Sequence, residues 1–123
     1  MRKNEPIAPT DKRIIQSLLW ALKAFDNLDR KVPISYAIAF FTVALEEGKP
    51  IGAYARDLAC DRFIMTRYIQ SLGDKGRHDK PGLGLVTVKR SETTPVRTEV
   101  YLTDKGRTVA KQVFAALQRA AKG

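Results

Sequence analysis

The sequence predicts a mainly α-helical chain, about five helices with one small β-hairpin. Three observations point there. Apolar residues recur at helical spacing through most of 10–73 and again after 103. The one stretch of strand-like alternation lies between those regions, at 83–102. Two short helical segments near 53–73 are separated by only a few residues. At 123 residues, with 44% hydrophobic and 28% charged side chains, the chain reads as one soluble globular domain.

Residues 1–9 are polar, contain Pro6 and Pro9, and are expected to form a flexible N-terminal tail. Residues 10–123 are expected to form a single domain. Thr10 can N-cap a first helix starting at Asp11, whose carboxylate suits the positive helix end. Ile14, Leu18, Leu22 and Phe25 make its apolar stripe, widened by Ile15, Leu19 and Trp20, and it should run to about Arg30. Pro33 is a good first residue for a second helix, because its missing N–H would have no partner there. Ile34, Ile38, Phe41 and Leu45 are its expected buried face and Gly48 its stop. Lys49-Pro50-Ile51 can form only a short extended piece. A third helix should cover about Ala53 to Ala59, with Tyr54 and Leu58 inward.

Asp61 is placed to cap a fourth helix from Arg62 to about Gly73. Met65, Ile69 and Leu72 give it one apolar face, and Arg62, Thr66, Arg67 and Gln70 lie mostly on the other. After the Gly- and Pro-rich loop GRHDKPGLG, alternation through Leu83–Arg90 and Val96–Leu102, around the polar tip SETTP, predicts a two-stranded hairpin. Thr103 should cap a last helix with Val109, Val113, Phe114 and Leu117 as its stripe and Gly106 in its first turn. Two tightly joined helices followed by a hairpin make a winged helix-turn-helix, the hairpin being the wing.

Charge sharpens this reading. The formal net charge is +9, and +6 of it falls within residues 62–111. A basic segment of this kind implies a polyanionic partner, nucleic acid before an anionic membrane surface. No apolar run reaches the roughly 18 residues of a membrane span, and the N-terminal basic residues are not followed by the apolar stretch of a signal peptide. One cysteine, Cys60, excludes an internal disulfide and fits a reducing cytoplasm; in the turn between helices it reads as a structural side chain rather than a redox switch. His78 is the only histidine and has no ligand partner at metal spacing, so no metal and no cofactor are expected. The chain shows no convergent catalytic set and is not expected to be an enzyme.

The stretch LACDRFIMTRYIQSLGDKG (58–76), followed by the strand pair and YLTDKGR (101–107), resembles the MarR family of bacterial winged-helix regulators. The resemblance is carried by Leu58, Asp61, Arg62, Thr66, Arg67, Leu72, Lys75 and Gly76, and by Leu102, Thr103, Lys105 and Gly106. It implies a homodimer joined through the terminal helices (10–30 and 104–121), with the fourth helix in the major groove and the wing in the minor groove. It further implies a sequence-specific regulator of transcription, a repressor at an inverted-repeat operator. The alternative on the same fold is a module for replication, DNA architecture or protein–protein contact with weak, non-specific DNA binding. Many members of the family bind small acids, so a small-molecule effector is an open possibility, although no pocket is legible here. The sequence departs from the family at Phe63 and Ile64, where small hydroxyl residues are common, and in the loop before the first wing strand.

The expected DNA-binding residues are Arg62, Phe63, Thr66, Arg67, Gln70, Lys75, Arg77, Lys89, Arg90 and Arg97. Arginine can donate two hydrogen bonds to guanine, glutamine can pair with adenine, and threonine can meet a thymine methyl or a phosphate. Ile64 is expected to pack; Phe63 can touch thymine methyls or lie buried against Tyr54 or the wing. One of Lys89, Arg90 and Arg97 can enter a narrow minor groove. Lys75, Arg77 and Lys80 suit phosphates, as do Ser35 and Tyr36 at the start of the second helix. Trp20, Phe25, Val113, Phe114 and Leu117 are the candidates for the dimer seam.

Overall fold

A computed structural model describes residues 7–28, 32–74, 82–92 and 97–122, with side chains to residue 119. Five helices and one hairpin follow in order: α1 (Pro9–Asp26), α2 (Ile34–Leu45), α3 (Ile51–Asp57), α4 (Arg62–Leu72), β1 (Val86–Arg90), β2 (Thr98–Leu102) and α5 (Asp104–Lys122). α1 lies along α5; α2, α3 and α4 form a second group whose base is closed by β2. Phe25 joins the two groups, its ring meeting those of Phe40 and Phe41 edge-on at 5.6 and 5.4 Å. The edge of one aromatic ring is electropositive and the face of the next negative, so such contacts add to the burial itself. One continuous core results, running from Ala21 and Phe25 through Phe40, Tyr54, Met65, Ile69 and Leu72 to Val100 and Val113.

Local chemistry explains most boundaries. α1 begins at Pro9 rather than Asp11, because Pro9 occupies the first turn, where its missing N–H costs nothing, and Ala8 accepts from Lys12 N–H. It ends at Asp26, short of Arg30, where Asn27 and Leu28 turn back onto Lys23 and Phe25 carbonyls. α3 starts two residues earlier than periodicity suggested, with Pro50 preceding its first turn. Its end is closed by Ala59 N–H to Arg56 O and Cys60 N–H to Ala55 O, the double closure usually built around a left-handed glycine. Here the left-handed residue is Ala59, at φ +51°.

The buried face of α2 differs from the expectation. Ala37, Ala39, Phe40 and Val43 are inside, whereas Ile34 and Leu45 are 69% and 87% exposed and Ile38 also faces outward. ISYAIAFFTVAL is apolar nearly all round, so its periodicity does not choose a face; the position of Phe25 and α4 does. Two seam candidates are corrected in the same way. Phe25 and Val113 are buried within this chain, Phe25 in the aromatic cluster and Val113 in the core where α5 meets α1. Trp20, Phe114 and Leu117 remain about half exposed.

The hairpin pairs Val86 with Leu102 and Arg90 with Thr98, antiparallel. Gly48 N–H donates to Val100 O and Val100 N–H to Lys49 O, so the link between α2 and α3 adds a short extended edge to β2. Leu83, Gly84 and Leu85 donate to the Ser71, Gly73 and Leu72 carbonyls, tying the entry to β1 to the end of α4. Thr103 caps α5, its Oγ1 accepting from Gly106 N–H at 3.0 Å.

Candidate nucleic-acid interface

α4 is positioned from both ends. Asp61 Oδ1 accepts from Phe63 N–H at 2.7 Å, satisfying one of the free donors of the first turn. Met65, Ile69 and Leu72 anchor the opposite side of the helix in the core. With 3.6 residues per turn, burying that side turns Phe63, Arg67 and Gln70 outward, about opposite to it. All three are exposed, as is Arg62. Among the described residues, no hydrogen bond or ion pair engages the side chains of Arg62, Arg67 or Gln70, so their donors are available to a ligand. Thr66 is half-buried and donates its hydroxyl to Arg62 O (2.9 Å), leaving the oxygen free to accept.

Phe63 packs against neither Tyr54 nor the wing. It is 80% exposed. Ile64, expected to pack, is 40% exposed, because it sits on the flank of α4 between the core side and the outer side. Tyr36 leans on Tyr68 of α4 with ring centres 5.5 Å apart, and Ser35 beside it is half-buried. Cys60 is half-buried.

The wing faces α4 across an open cleft of about 550 Å³. Thr66 and Gln70 line it from the helix, Asp74 from the turn after it, and Thr87, Val88 and Thr98 from the strands. Helix and hairpin therefore border one concave surface. Two smaller hollows, about 160 Å³ beside Leu22, Phe25 and Pro33 and about 210 Å³ beside Ala44, Glu47, Arg107 and Phe114, lie below the roughly 300 Å³ usual for a drug-sized ligand.

The three wing cations are not equivalent. Lys89 Nζ lies 5.2 Å from the Tyr101 ring centre, and Arg97 Nε is 3.4 Å from Glu99 Oε2. Glu99 also accepts from Tyr101 OH at 3.0 Å. That hydrogen bond, with burial and the nearby carboxylate charge, raises the Tyr101 phenol above its ordinary range. Arg90, opposite Thr98, has no such engagement among the described residues. Lys75, Arg77, His78 and Lys80 lie outside the described residues.

Sequence reasoning missed the bracket that sets the wing on the helices. Glu47, just past α2, accepts from Leu102 N–H (2.7 Å) and from both terminal nitrogens of Arg107 (2.9 and 3.0 Å). Partial burial alone would raise its carboxyl, but the Leu102 amide and the Arg107 guanidinium outweigh that and hold it below the ordinary range. No local pattern reveals this, since the partners lie 55 and 60 residues away. Tyr54 does similar service at the α2–α3 link, donating to Glu46 O (2.7 Å) and accepting from Lys49 N–H (3.1 Å). Burial raises its phenol.

Among the described residues no helix is long and apolar enough to cross a membrane, and no cluster of three metal-ligating side chains occurs. No family model matches the sequence, and no curated protein does. Solved structures do. The disulfide-formed structure of AbfR aligns at a TM-score of 0.58 and 18% identity, over 89% of this chain and 70% of that one. Rv1404 from Mycobacterium tuberculosis aligns at 0.65 and 12% identity, over 99% of this chain and 81% of that one. A MarR-family transcriptional regulator from Silicibacter pomeroyi aligns at 0.53 and 19% identity, over 90% and 68%. The chain thus has a MarR-like winged-helix fold, five helices with a two-stranded antiparallel wing.

Proposed function

We propose that this protein is a sequence-specific, double-stranded DNA-binding regulator of transcription that occupies an inverted-repeat operator as a homodimer and represses from it. The observation that carries the reading is the outer side of α4. Arg67 and Gln70 project there and Arg62 is exposed at the flank of the first turn, their donors unengaged among the described residues, beside a wing that carries Lys89, Arg90 and Arg97, in the segment holding +6 of the net charge. Guanidinium and amide side chains on an exposed helix match base edges in the major groove, and the wing cations match the flanking backbone or minor groove. Likeness to a MarR-family transcriptional regulator supports the same role.

Dimerisation is supported by apolar surface that one chain leaves uncovered. Ile14, Ile15, Leu18 and Leu19 on α1, with Phe114 and Leu117 on α5, are each 43–54% exposed. A contiguous apolar surface of that kind marks an association site. Pairing two copies about a two-fold axis would set two α4 helices roughly 34 Å apart, one DNA turn.

The test is selection of bound duplexes from a random pool at near-physiological salt. Enrichment of an inverted repeat with half-sites about one turn apart is the expected result. Enrichment of nothing, with binding that vanishes as salt rises, would reduce the basic surface to a non-specific tether and remove this proposal.

A further inference from the structure

Charge and hydrogen bonding account for Arg67 and Gln70 on the outer side of α4 and for Arg62 at its first turn, but not for Phe63. Phe25 and Phe40 are buried and Phe41 is half-buried, whereas Phe63 stands 80% exposed at the second residue of α4. It is not a loosely held residue, since its own N–H is fixed on Asp61 Oδ1. On a helical projection it lies within about 60° of Arg67 and Gln70, at the N-terminal end of the strip they form. The surface that covers it must therefore be apolar at one point and polar or anionic around that point.

We propose that Phe63 reads a thymine 5-methyl group on the floor of the major groove, so that each half-site carries a thymine facing the first turn of α4. This rests on the DNA-binding reading above and names one base that it recognises. A phenyl ring has no donor or acceptor, and of the features displayed in the major groove only the thymine methyl is apolar. Phosphates on both rims of the groove supply the charge that Arg62 and Arg67 complement. The first turn of a recognition helix is also the part that meets base edges in helix-turn-helix complexes. Along the axis, Arg67 and Gln70 lie about 6 and 10 Å beyond Phe63. At about 3.4 Å per base pair, the thymine falls two to three pairs from the bases those side chains meet.

The experiment uses the full chain and the duplex enriched by selection. Each thymine of a half-site is replaced singly by deoxyuridine, which removes the methyl and leaves every hydrogen-bonding group in place. At one thymine, the methyl loss should weaken wild-type binding about fourfold, the effect of one lost buried methyl. Phe63→Ala should lose a similar factor on the thymine site, show no further loss on the deoxyuridine site, and melt at the wild-type temperature because the ring is exposed. Deoxyuridine without effect at every position would overturn the inference while leaving the regulator reading intact. So would a deoxyuridine penalty that persists in Phe63→Ala. Unchanged DNA affinity in Phe63→Ala would assign the ring to a protein partner instead. A pool that enriches no sequence overturns both readings.

Discussion

Gly106→Ala sets two rules against each other, and the structure decides the sign. Gly106 is the third residue of α5, where alanine would ordinarily stabilise a helix by about 1 kcal/mol relative to glycine. A Cβ at Gly106, however, would lie 2.1 Å from the carbonyl oxygen of Leu85 and 3.0 Å from its carbonyl carbon. Relief needs a backbone shift of more than about 1 Å to reach an ordinary contact. Leu85 is not free to make it. Its side chain is fully buried, its N–H donates to Leu72 O at 2.7 Å, and its carbonyl accepts from Thr103 N–H at 3.0 Å. Overpacking of this kind costs about 1–3 kcal/mol, and a strained Thr103–Leu85 bond about 1 more. Net of helix propensity, Gly106→Ala should destabilise by about 2 kcal/mol, lowering Tm by roughly 8 °C for a chain of this length. Thermal melts at matched protein concentration, which removes any effect of self-association on Tm, measure it directly. A variant melting at or above the wild-type temperature would refute the steric argument and show that propensity governs this turn.

Other perturbations test other links. Glu47→Ala strands the Leu102 amide and should cost about 2 kcal/mol. Glu47→Gln keeps an acceptor there and should cost about 0.5 kcal/mol, discounted because Arg107 is half exposed. Because the folded carboxyl titrates below its unfolded value, the Glu47 contribution is fully present above about pH 4.3 and lost as pH falls through the folded value. The Tm gap between wild type and Glu47→Gln should therefore close on acidification below pH ~4, and a constant gap would contradict the bracket. Arg67→Glu should abolish specific binding with the melting curve unchanged; operator affinity equal to wild type in a binding titration would exclude α4 as the reader. Replacing Leu18 with Lys places a charge in the exposed apolar face of α1 and should shift the sedimentation profile to monomer while leaving helical content intact. Ala59→Gly relieves the left-handed alanine, a gain of about 1 kcal/mol that the added freedom of the unfolded chain offsets by about half, so urea midpoints should rise slightly.

Elements with strong local signals were legible without coordinates. Asp61 ahead of an apolar 65–69–72 stripe defines α4 and its outward side. Thr103 announces α5, and two alternating runs around a polar tip announce the wing. Each of these depends on residues a few positions apart, whose backbone donors and apolar spacing act within one element. Arg67 and Gln70 could be placed on that outward side for the same reason, whereas Arg62, on the Ile69 flank, is exposed at the first position of the helix.

What neighbours in space impose was decided only by the tertiary structure. α2 is apolar nearly all round, so packing by Phe25 and α4 selected Phe40 and Val43 for the core and left Ile34, Ile38 and Leu45 outside. Phe25 and Val113 could not be told from surface residues of the same stripes until α1 and α5 lay together. Phe63 could have been core or surface; only the fold shows it exposed. Glu47 meets Leu102 and Arg107 across more than fifty residues, and Gly106 is required by a carbonyl twenty-one positions earlier. A sequence states spacing along the chain, whereas these contacts arise from chain segments brought together by burial of the common core.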